Sequence, residues 1–138
     1  MNFASEDLQS SSVDVIRCAW SNWLPLDTFT VRESVPKTPG VYQIRPIGAS
    51  GPAYIGSATG KGGLKQRLKQ RASNPKRNLS GFEKKLVQLG FQLEFCYAEA
   101  DTVQCAKDRE SQLLNRYRLS HNGQLPPGNK VTPRSSRT

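Results

Sequence analysis

Apolar residues recur along this chain at helical spacing in some stretches and alternate in others, which predicts its order of helices and strands. The first helical stretch carries Val13, Ile16, Trp20 and Trp23 on one face and should end at Pro25. We interpret the two tryptophans as core residues, with a base-stacking platform as the alternative. A short amphipathic helix is therefore expected ahead of the first strand.

The next stretch predicts a β-hairpin followed by a basic helix. GVYQIR and PAYIG have the composition of strands, and the turn-rich PIGASG joins them. After the glycine-rich SATGKGG, the residues Leu64, Leu68 and Ala72 share one helical face, and Arg67 and Arg71 lie beside it as neighbours. Basic side chains are thus expected on the helix that follows the hairpin.

Two further elements follow in the second half of the chain. Ser80 and Glu83 have the spacing of a capping box, and Phe82, Leu86 and Leu89 predict the apolar stripe of a helix that ends at the next glycine. The residues of FQLEFCY then alternate between apolar and polar, which predicts a half-buried strand.

The last predicted helix has a carboxylate on its apolar face. Asp101 is the expected N-cap, and Asn122 with Gly123 should end the helix. Glu110 falls on the same stripe as Val103, Ala106, Leu113, Leu114 and Tyr117. A carboxylate there is unfavourable unless a hydrogen bond or a positive charge meets it. A divalent cation would meet it well; a salt bridge to Arg109, Arg116 or another basic residue, or exposure at the edge of the stripe, is the structural alternative.

The elements in chain order predict an α+β fold with a small sheet: helix, strand, strand, helix, helix, strand, helix. At 138 residues the chain has the size of one domain. We expect residues 1–12, which are Ser-rich and polar, to be disordered, and residues 13–34 to form an N-terminal helical extension. Residues 35–130 should form the main domain, and residues 131–138 a flexible basic tail.

Positive charge is concentrated in the middle of the chain. The sequence has 20 Lys+Arg against 11 Asp+Glu and a formal net charge of +9. Ten of the basic residues lie from Arg45 to Leu93, together with a single acid, Glu83. Such a field attracts polyanions and favours nucleic acid as a partner. An anionic membrane surface is the weaker alternative, because the basic segment has no aromatic or long apolar face.

Composition argues against several other classes of protein. No run approaches the roughly 18 apolar residues of a membrane span, and the start MNFASEDLQSSS lacks the pattern of a signal peptide, so we expect a soluble, intracellular protein of the cytoplasm. Three cysteines without a CxxC pair indicate neither a disulfide framework nor a zinc site. The lone histidine, His121, is interpreted as a surface loop residue.

Two strand tyrosines and the glycine-rich link are further candidates for chemistry. Tyr42 and Tyr54 can present two phenols on a common surface of the hairpin, although tyrosine is also an ordinary strand and core residue. GSATGKGG does not match a nucleotide-binding phosphate loop, because three residues instead of four precede Gly-Lys, and Gly62 follows instead of Ser or Thr. Its glycines and Lys61 fit a flexible loop near a polyanionic backbone.

Taken in order, these residues resemble the GIY-YIG nuclease family. PGVYQI matches the first half-motif, with Val41 at the usual Ile position, and AYIGS matches the second. Arg67 on the following helix, Glu110 on a later helix and Asn129 after it complete the pattern, which spans residues 39–129. Each half-motif alone is a weak signal, and the ordered set of five positions gives the resemblance its weight.

The resemblance implies a three-stranded antiparallel sheet flanked by helices, and hydrolysis of a DNA phosphodiester assisted by Mg²⁺ or Mn²⁺. In the family pattern Glu110 would hold the metal. Tyr42 would help to deprotonate or orient the attacking water, and Tyr54 would support the same water or the scissile phosphate. Arg67 would stabilise developing charge on the phosphate, and Asn129 would brace the site. Tyrosine, with an ordinary pKa of about 10, is a poor base at neutral pH unless a nearby cation favours the phenolate.

Two features depart from the family pattern. Extra glycines between Tyr54 and Arg67 make Lys65 or another basic neighbour the alternative aligned residue. Arg71 stands where some relatives carry a histidine, which removes a possible proton-transfer group and favours a phosphate contact. The residues expected to bind nucleic acid are Arg45, Lys61, Lys65, Lys69 and Arg71.

The leading interpretation is a metal-dependent endonuclease that acts on DNA. A non-catalytic nucleic-acid-binding module on the same fold is the second hypothesis, since fold does not imply function. An unrelated protein-binding domain is the third. RNA is the alternative nucleic-acid partner.

Overall fold

Helices pack on both faces of a small sheet in the computed structural model of the chain, which describes residues 19–73 and 81–129. The elements of these residues are β1 (Leu24–Pro25), α1 (Thr28–Ser34), β2 (Gly40–Pro46), β3 (Tyr54–Ala58), α2 (Gly63–Ser73), α3 (Gly81–Gln88), β4 (Leu93–Glu99), α4 (Val103–Ser120) and a 3-10 helix (Pro127–Asn129). The predicted disordered start and basic tail lie outside the described residues. None of the described helices is long and apolar enough to cross a membrane.

The sheet is antiparallel, with strand order β1-β4-β2-β3. The predicted hairpin is confirmed, since β2 pairs with β3 from Gly40↔Ala58 to Ile44↔Tyr54. The α+β class is also confirmed, but the predicted count of three strands is wrong. The fourth strand, β1, pairs with β4 through only two residues, which is too short for an alternating pattern to be visible in the sequence.

The two faces of the sheet are covered by different helices. Tyr42 shares a buried cluster with Leu64 and Leu68 of α2, so α2 lies on the Tyr42 face. Ser57 pairs with Val41, one position along from Tyr42, and therefore points to the opposite face. Helix α4 packs against β2 and β3 on that face. Strand β3 thus forms the open edge of the sheet, between α2 on one side and α4 on the other.

The predicted N-terminal helix is wrong where the structure describes it. Residues 19–23 are not helical, and the ring of Trp23 lies 3.7 Å from the Arg45 guanidinium. Val13 and Ile16 lie outside the described residues. Helix α1 forms after Pro25 instead, because the Asp27 side chain accepts a hydrogen bond from the Thr30 amide at 2.7 Å and caps it.

Helix α3 has a charged residue on its buried face. The expected apolar stripe is largely exposed, since Phe82 is 39% and Leu89 is 69% accessible. Glu83 is completely buried instead. Its predicted capping partner, Ser80, lies outside the described residues. The inward face of α3 therefore carries a buried carboxylate as well as the partly buried Leu86.

Helix α4 begins one residue later than expected and ends as expected. The N-cap is Thr102 and not Asp101, because the Thr102 hydroxyl accepts a hydrogen bond from the Cys105 amide at 3.0 Å. Asn122 and Gly123 both have positive φ and lie just beyond the end of the helix, as predicted. His121 is exposed, which confirms the prediction for the single histidine.

Candidate active site

The residues predicted for the site surround strand β3 but divide between its two sides. Tyr42, Tyr54 and Arg67 belong to the α2 side of the sheet, and Glu110 of α4 contacts the opposite side. Asn129 contacts the free edge of β3. The edge strand, rather than one face of the sheet, is therefore the element that all five residues have in common.

The two phenols share the space above Gly56. Tyr42 lies opposite Gly56 in the β2–β3 register, and the ring centres of Tyr42 and Tyr54 are 6.1 Å apart. A Cβ atom at Gly56 would lie 2.8 Å from the Tyr42 hydroxyl oxygen and 2.7 Å from the Tyr54 ring. The glycine of the second half-motif is thus required by the packing of the tyrosines of both half-motifs.

Arg71 fills the space beside these phenols. Its Nε donates a hydrogen bond to the Tyr42 hydroxyl at 3.1 Å, and its guanidinium lies 4.3 Å from the centre of the Tyr54 ring. The Arg71 Nη1 atom lies 3.6 Å from Oε1 of Glu83. Burial lowers the pKa of Arg71, but the two phenols and Glu83 together raise it above its ordinary value. Arg71 is therefore held as a cation inside the protein.

Sequence reasoning did not find the role of Glu83. Arg71 is only 7% exposed, so the expected contact with a phosphate is not made from its position in this structure. The available signal was composition, since Glu83 is the single acid between Arg45 and Leu93. A lone carboxylate in a basic stretch is well placed to neutralise a buried cation, and Glu83 does so for Arg71.

Tyr42 is fully buried, which changes what its hydroxyl can do. Burial raises the pKa of Tyr42 to about 12, and the positive charge of Arg71 opposes this shift only in part. The phenol is therefore neutral at physiological pH. A base at neutral pH needs the opposite shift, so the geometry suits Tyr42 to positioning Arg71 rather than to taking a proton from water.

Arg67 lines a small cleft beside β3. The cleft has a volume of about 300 Å³, and Ser57, Thr59, Gln66 and Gln70 line it together with Arg67. Arg67 is exposed, and among the described residues its guanidinium makes one hydrogen bond, 3.5 Å from Nη1 to Oε1 of Gln70. An exposed guanidinium with one long hydrogen bond has donors left for the oxygens of a phosphate.

Glu110 is met by a hydroxyl rather than by a basic side chain. Ser57 donates a hydrogen bond of 2.5 Å to Oε1 of Glu110, and none of the ion pairs among the described residues includes Glu110. Arg109 instead donates to the carbonyl of Glu99 at 2.9 Å. Because Ser57 also lines the Arg67 cleft, it connects the carboxylate to that cleft. Ser57 belongs to the segment AYIGS, but sequence reasoning gave it no role.

Glu110 suits a metal site with few protein ligands. Within residues 19–73 and 81–129, no three His, Cys, Asp or Glu side chains are grouped so that they could hold a metal ion. A single carboxylate does suit Mg²⁺, which keeps several waters and commonly binds through one or two carboxylates and the phosphates of the substrate. Glu110 is one hydrogen bond away from Ser57, which lines the Arg67 cleft, and its single carboxylate fits that mode.

Asn129 braces the edge strand from outside. Its Oδ1 accepts a hydrogen bond from the Ile55 amide at 2.8 Å, and its Nδ2 donates to the Ile55 carbonyl at 2.8 Å. The Gly128 amide also donates to the carbonyl of Ala53. The Asn129 side chain thus satisfies both backbone groups of the residue between Tyr54 and Gly56, where an edge strand would otherwise leave them unpaired.

The residues expected to bind nucleic acid do not form one surface. Lys61, Lys65 and Lys69 line a common groove on α2. Arg45 is engaged elsewhere, because its Nε lies 2.7 Å from Glu94 and its side chain is 19% exposed. Arg71 is buried, as described above. The three lysines are therefore the members of this set that remain accessible together.

Comparison of the chain with models of known protein families, with curated proteins and with solved structures gives no match. The family resemblance stays a prediction from the motif residues.

Proposed function

We propose that this chain is a divalent-metal-dependent endonuclease that hydrolyses DNA phosphodiester bonds at the edge of β3. The observation that carries the proposal is the link between Arg67 and Glu110 through Ser57, which lines the Arg67 cleft and donates a hydrogen bond to Glu110. A cation that suits phosphate and a carboxylate that suits a metal ion thus lie beside the same strand.

The chemistry divides between these groups. Arg67 binds the scissile phosphate and stabilises the charge that develops on it, since a guanidinium matches phosphate geometry and keeps its charge. Glu110 is the residue that would hold Mg²⁺ or Mn²⁺, and Ser57 orients its carboxylate. A bound divalent cation supplies polarisation of the phosphate and neutralisation of the leaving oxygen.

The tyrosines have unequal roles in this proposal. Tyr54 is partly exposed and lies under the Arg71 guanidinium, so its phenol is the one that can contact the attacking water or the phosphate. Tyr42 is a positioning residue, because it is buried and binds Arg71. Asn129 acts through the backbone of Ile55, beside Tyr54.

One observation favours a second candidate, a non-catalytic nucleic-acid-binding module. Glu110 lies on the face of the sheet opposite Tyr42, and Tyr42 is buried with a pKa of about 12. A binding module needs neither a reactive phenol nor a metal, and the exposed lysines of α2 are sufficient for it. The two candidates differ in one measurable property, which is metal-dependent cleavage.

The test is cleavage of supercoiled plasmid with Mg²⁺ and with a chelator, followed by sequencing of the cut ends. Wild type should nick or linearise the plasmid only with the metal. Glu110→Gln should lose cleavage and keep DNA binding, because the amide oxygen still accepts from Ser57 while the charge is gone. Glu33→Gln is the matched control, since it neutralises an exposed carboxylate of α1.

The outcomes separate the candidates. Cleavage by Glu110→Gln at the wild-type rate would overturn the role of Glu110. Salt-sensitive DNA binding by wild type without any metal-dependent cleavage would replace the endonuclease with the binding module.

A further inference from the structure

We propose that a groove on α2 binds the phosphodiester backbone of the DNA that flanks the bond to be cut. The groove has a volume of about 610 Å³ and is formed around four lysines: Lys37, Lys61, Lys65 and Lys69. We call it the lysine groove. This inference rests on the proposed function, and it assigns a binding surface to the part of the DNA that flanks the cleaved bond.

The groove depends on a close approach between α2 and the loop before β2. Lys65 and Lys69 lie one helical turn apart on α2, about 6 Å along its axis. Lys37 lies in the loop, and Gly63 allows this loop to approach α2 closely. Gly63 has φ +62, and a Cβ there would lie close against the Lys37 carbonyl oxygen. Lysines far apart in the sequence are thus brought to one surface by a glycine that the packing requires.

The lining of the groove is suited to a polyanion. Its other residues are Gly62, Gln66, Gln70 and Ser73, so within residues 19–73 and 81–129 no acid lines it. Lys37, Lys61 and Lys69 are exposed. Lys65 donates one hydrogen bond to the Arg32 carbonyl at 2.9 Å, which fixes its ammonium and leaves two of its three N–H donors. Four lysines in a lining that has no acid among its described residues complement a phosphate backbone.

Side chains, and not the helix N-terminus, make this site. The amides of Leu64 and Lys65 already donate to the carbonyls of Thr38 at 2.8 Å and Pro36 at 2.9 Å. The Gly62 amide donates to Oε1 of Gln66 at 2.9 Å. These backbone amides are therefore already used, and the lysine ammonium groups are the charged donors to phosphate, which read charge and not sequence. Binding in the groove should accordingly be strongly salt-dependent and independent of base sequence.

The lysine groove adjoins the Arg67 cleft. Gln66 and Gln70 line both of them. A strand with its scissile phosphate at Arg67 would pass over these two amides and continue along the lysines. A single phosphate or a mononucleotide would occupy only one of the two sites, so a DNA strand is the occupant that uses the whole surface.

The test measures binding of a DNA duplex by fluorescence anisotropy, in a chelator and over a range of salt concentrations. Lys61→Ala/Lys69→Ala should lower the slope of log K against log salt by about 1.8, because each neutralised phosphate contributes about 0.9 to that slope. Lys65 is left in place because its ammonium also donates a hydrogen bond to the backbone carbonyl of Arg32. The matched control is Lys85→Ala/Lys107→Ala, which removes the same charge from exposed positions on α3 and α4.

Three outcomes would overturn the lysine groove. One is an unchanged slope in Lys61→Ala/Lys69→Ala, and another is an equal decrease in the control, which would indicate general charge instead of a site. The third is stronger binding of wild type to phosphatidylserine vesicles than to the duplex at equal ionic strength, which would replace DNA with an anionic membrane. Thermal unfolding of each variant, followed by circular dichroism, identifies any weakening of binding that comes from misfolding.

Failure of the groove and failure of the endonuclease are distinguishable, because binding is measured without metal and cleavage on plasmid. If wild type does not cut DNA and Lys61→Ala/Lys69→Ala has a lowered slope, the proposed endonuclease is wrong and DNA binding in the groove is supported. If wild type cuts DNA and the slope of that variant is unchanged, only the proposed role of the lysine groove is wrong.

Discussion

Gly56 lies directly opposite Tyr42 in the sheet, and the Tyr42 hydroxyl occupies the space that a side chain at Gly56 would need. The Tyr54 ring closes the same space from its other side. Two aromatic rings can lie side by side on this narrow hairpin only because the position between them has no Cβ. The half-motifs that suggested a function are therefore also a packing unit.

Replacing Gly56 with alanine should destabilise the protein by about 1–3 kcal/mol, because both phenols must move. Urea unfolding measures the change. Gly51→Ala is the control, since a Cβ there meets nothing within 4 Å. Its effect should stay within about 0.5 kcal/mol, or be slightly stabilising through the unfolded chain. Equal values for the two variants would contradict the packing role of Gly56.

The buried Tyr42 predicts a loss of stability at high pH. Its pKa is about 12 in the folded chain, against about 10 when unfolded. The folded chain thus holds this proton more tightly, so the stabilisation is complete below about pH 10 and disappears as the pH rises through about 12. The contribution is on the order of 2–3 kcal/mol.

Comparison of wild type with Tyr42→Phe isolates this effect, because every other group titrates in both. The free energy of unfolding of wild type, relative to the variant, should fall between about pH 9 and about pH 12. Phenolate absorbance should show one tyrosine that titrates late. A constant difference between the two proteins over this range would show that Tyr42 is not shifted.

The Arg71–Glu83 pair should be strongly coupled. Arg71→Met removes the guanidinium that faces a completely buried carboxylate, and should destabilise the protein by about 3–5 kcal/mol. Arg71→Met/Glu83→Leu should recover much of this stability, because neither charge of this pair is then buried without the other. Arg116→Met, at an exposed position on α4, is the control and should change stability by at most about 0.5 kcal/mol. Glu83→Leu alone completes the comparison. If the effects of Arg71→Met and Glu83→Leu add up to that of the double variant, the two residues are not coupled.

Asn129 should protect the Ile55 amide from hydrogen exchange. Asn129→Ala removes both hydrogen bonds to the backbone of Ile55 and should destabilise the protein by about 1–3 kcal/mol. Hydrogen exchange of the Ile55 amide should become faster, while the amides of the central strand β2 change less. Asn115→Ala, at an exposed position on α4, is the control. Unchanged exchange at Ile55 would mean that the edge strand does not depend on Asn129.

Local pattern was sufficient for the main elements. The hairpin of β2 and β3, helix α2 and the end of α4 could be predicted because alternation, helical spacing and turn residues act over a few neighbouring positions. The same spacing placed Lys61, Lys65 and Lys69 on or next to α2, where the structure has them. Strand β1 could not be predicted, because two residues that pair with Phe95 and Glu94 carry no period of their own.

The partners of the charged and polar groups were decided by tertiary structure. The sequence by itself determined that Tyr42, Arg67 and Glu110 occur in order on a strand and two helices. Periodicity says which side chains share a face of one element, but not which element covers that face. Only packing decided that Tyr42 is buried, that Arg71 meets Glu83 and that Ser57 meets Glu110, because each of these contacts joins positions far apart in the chain.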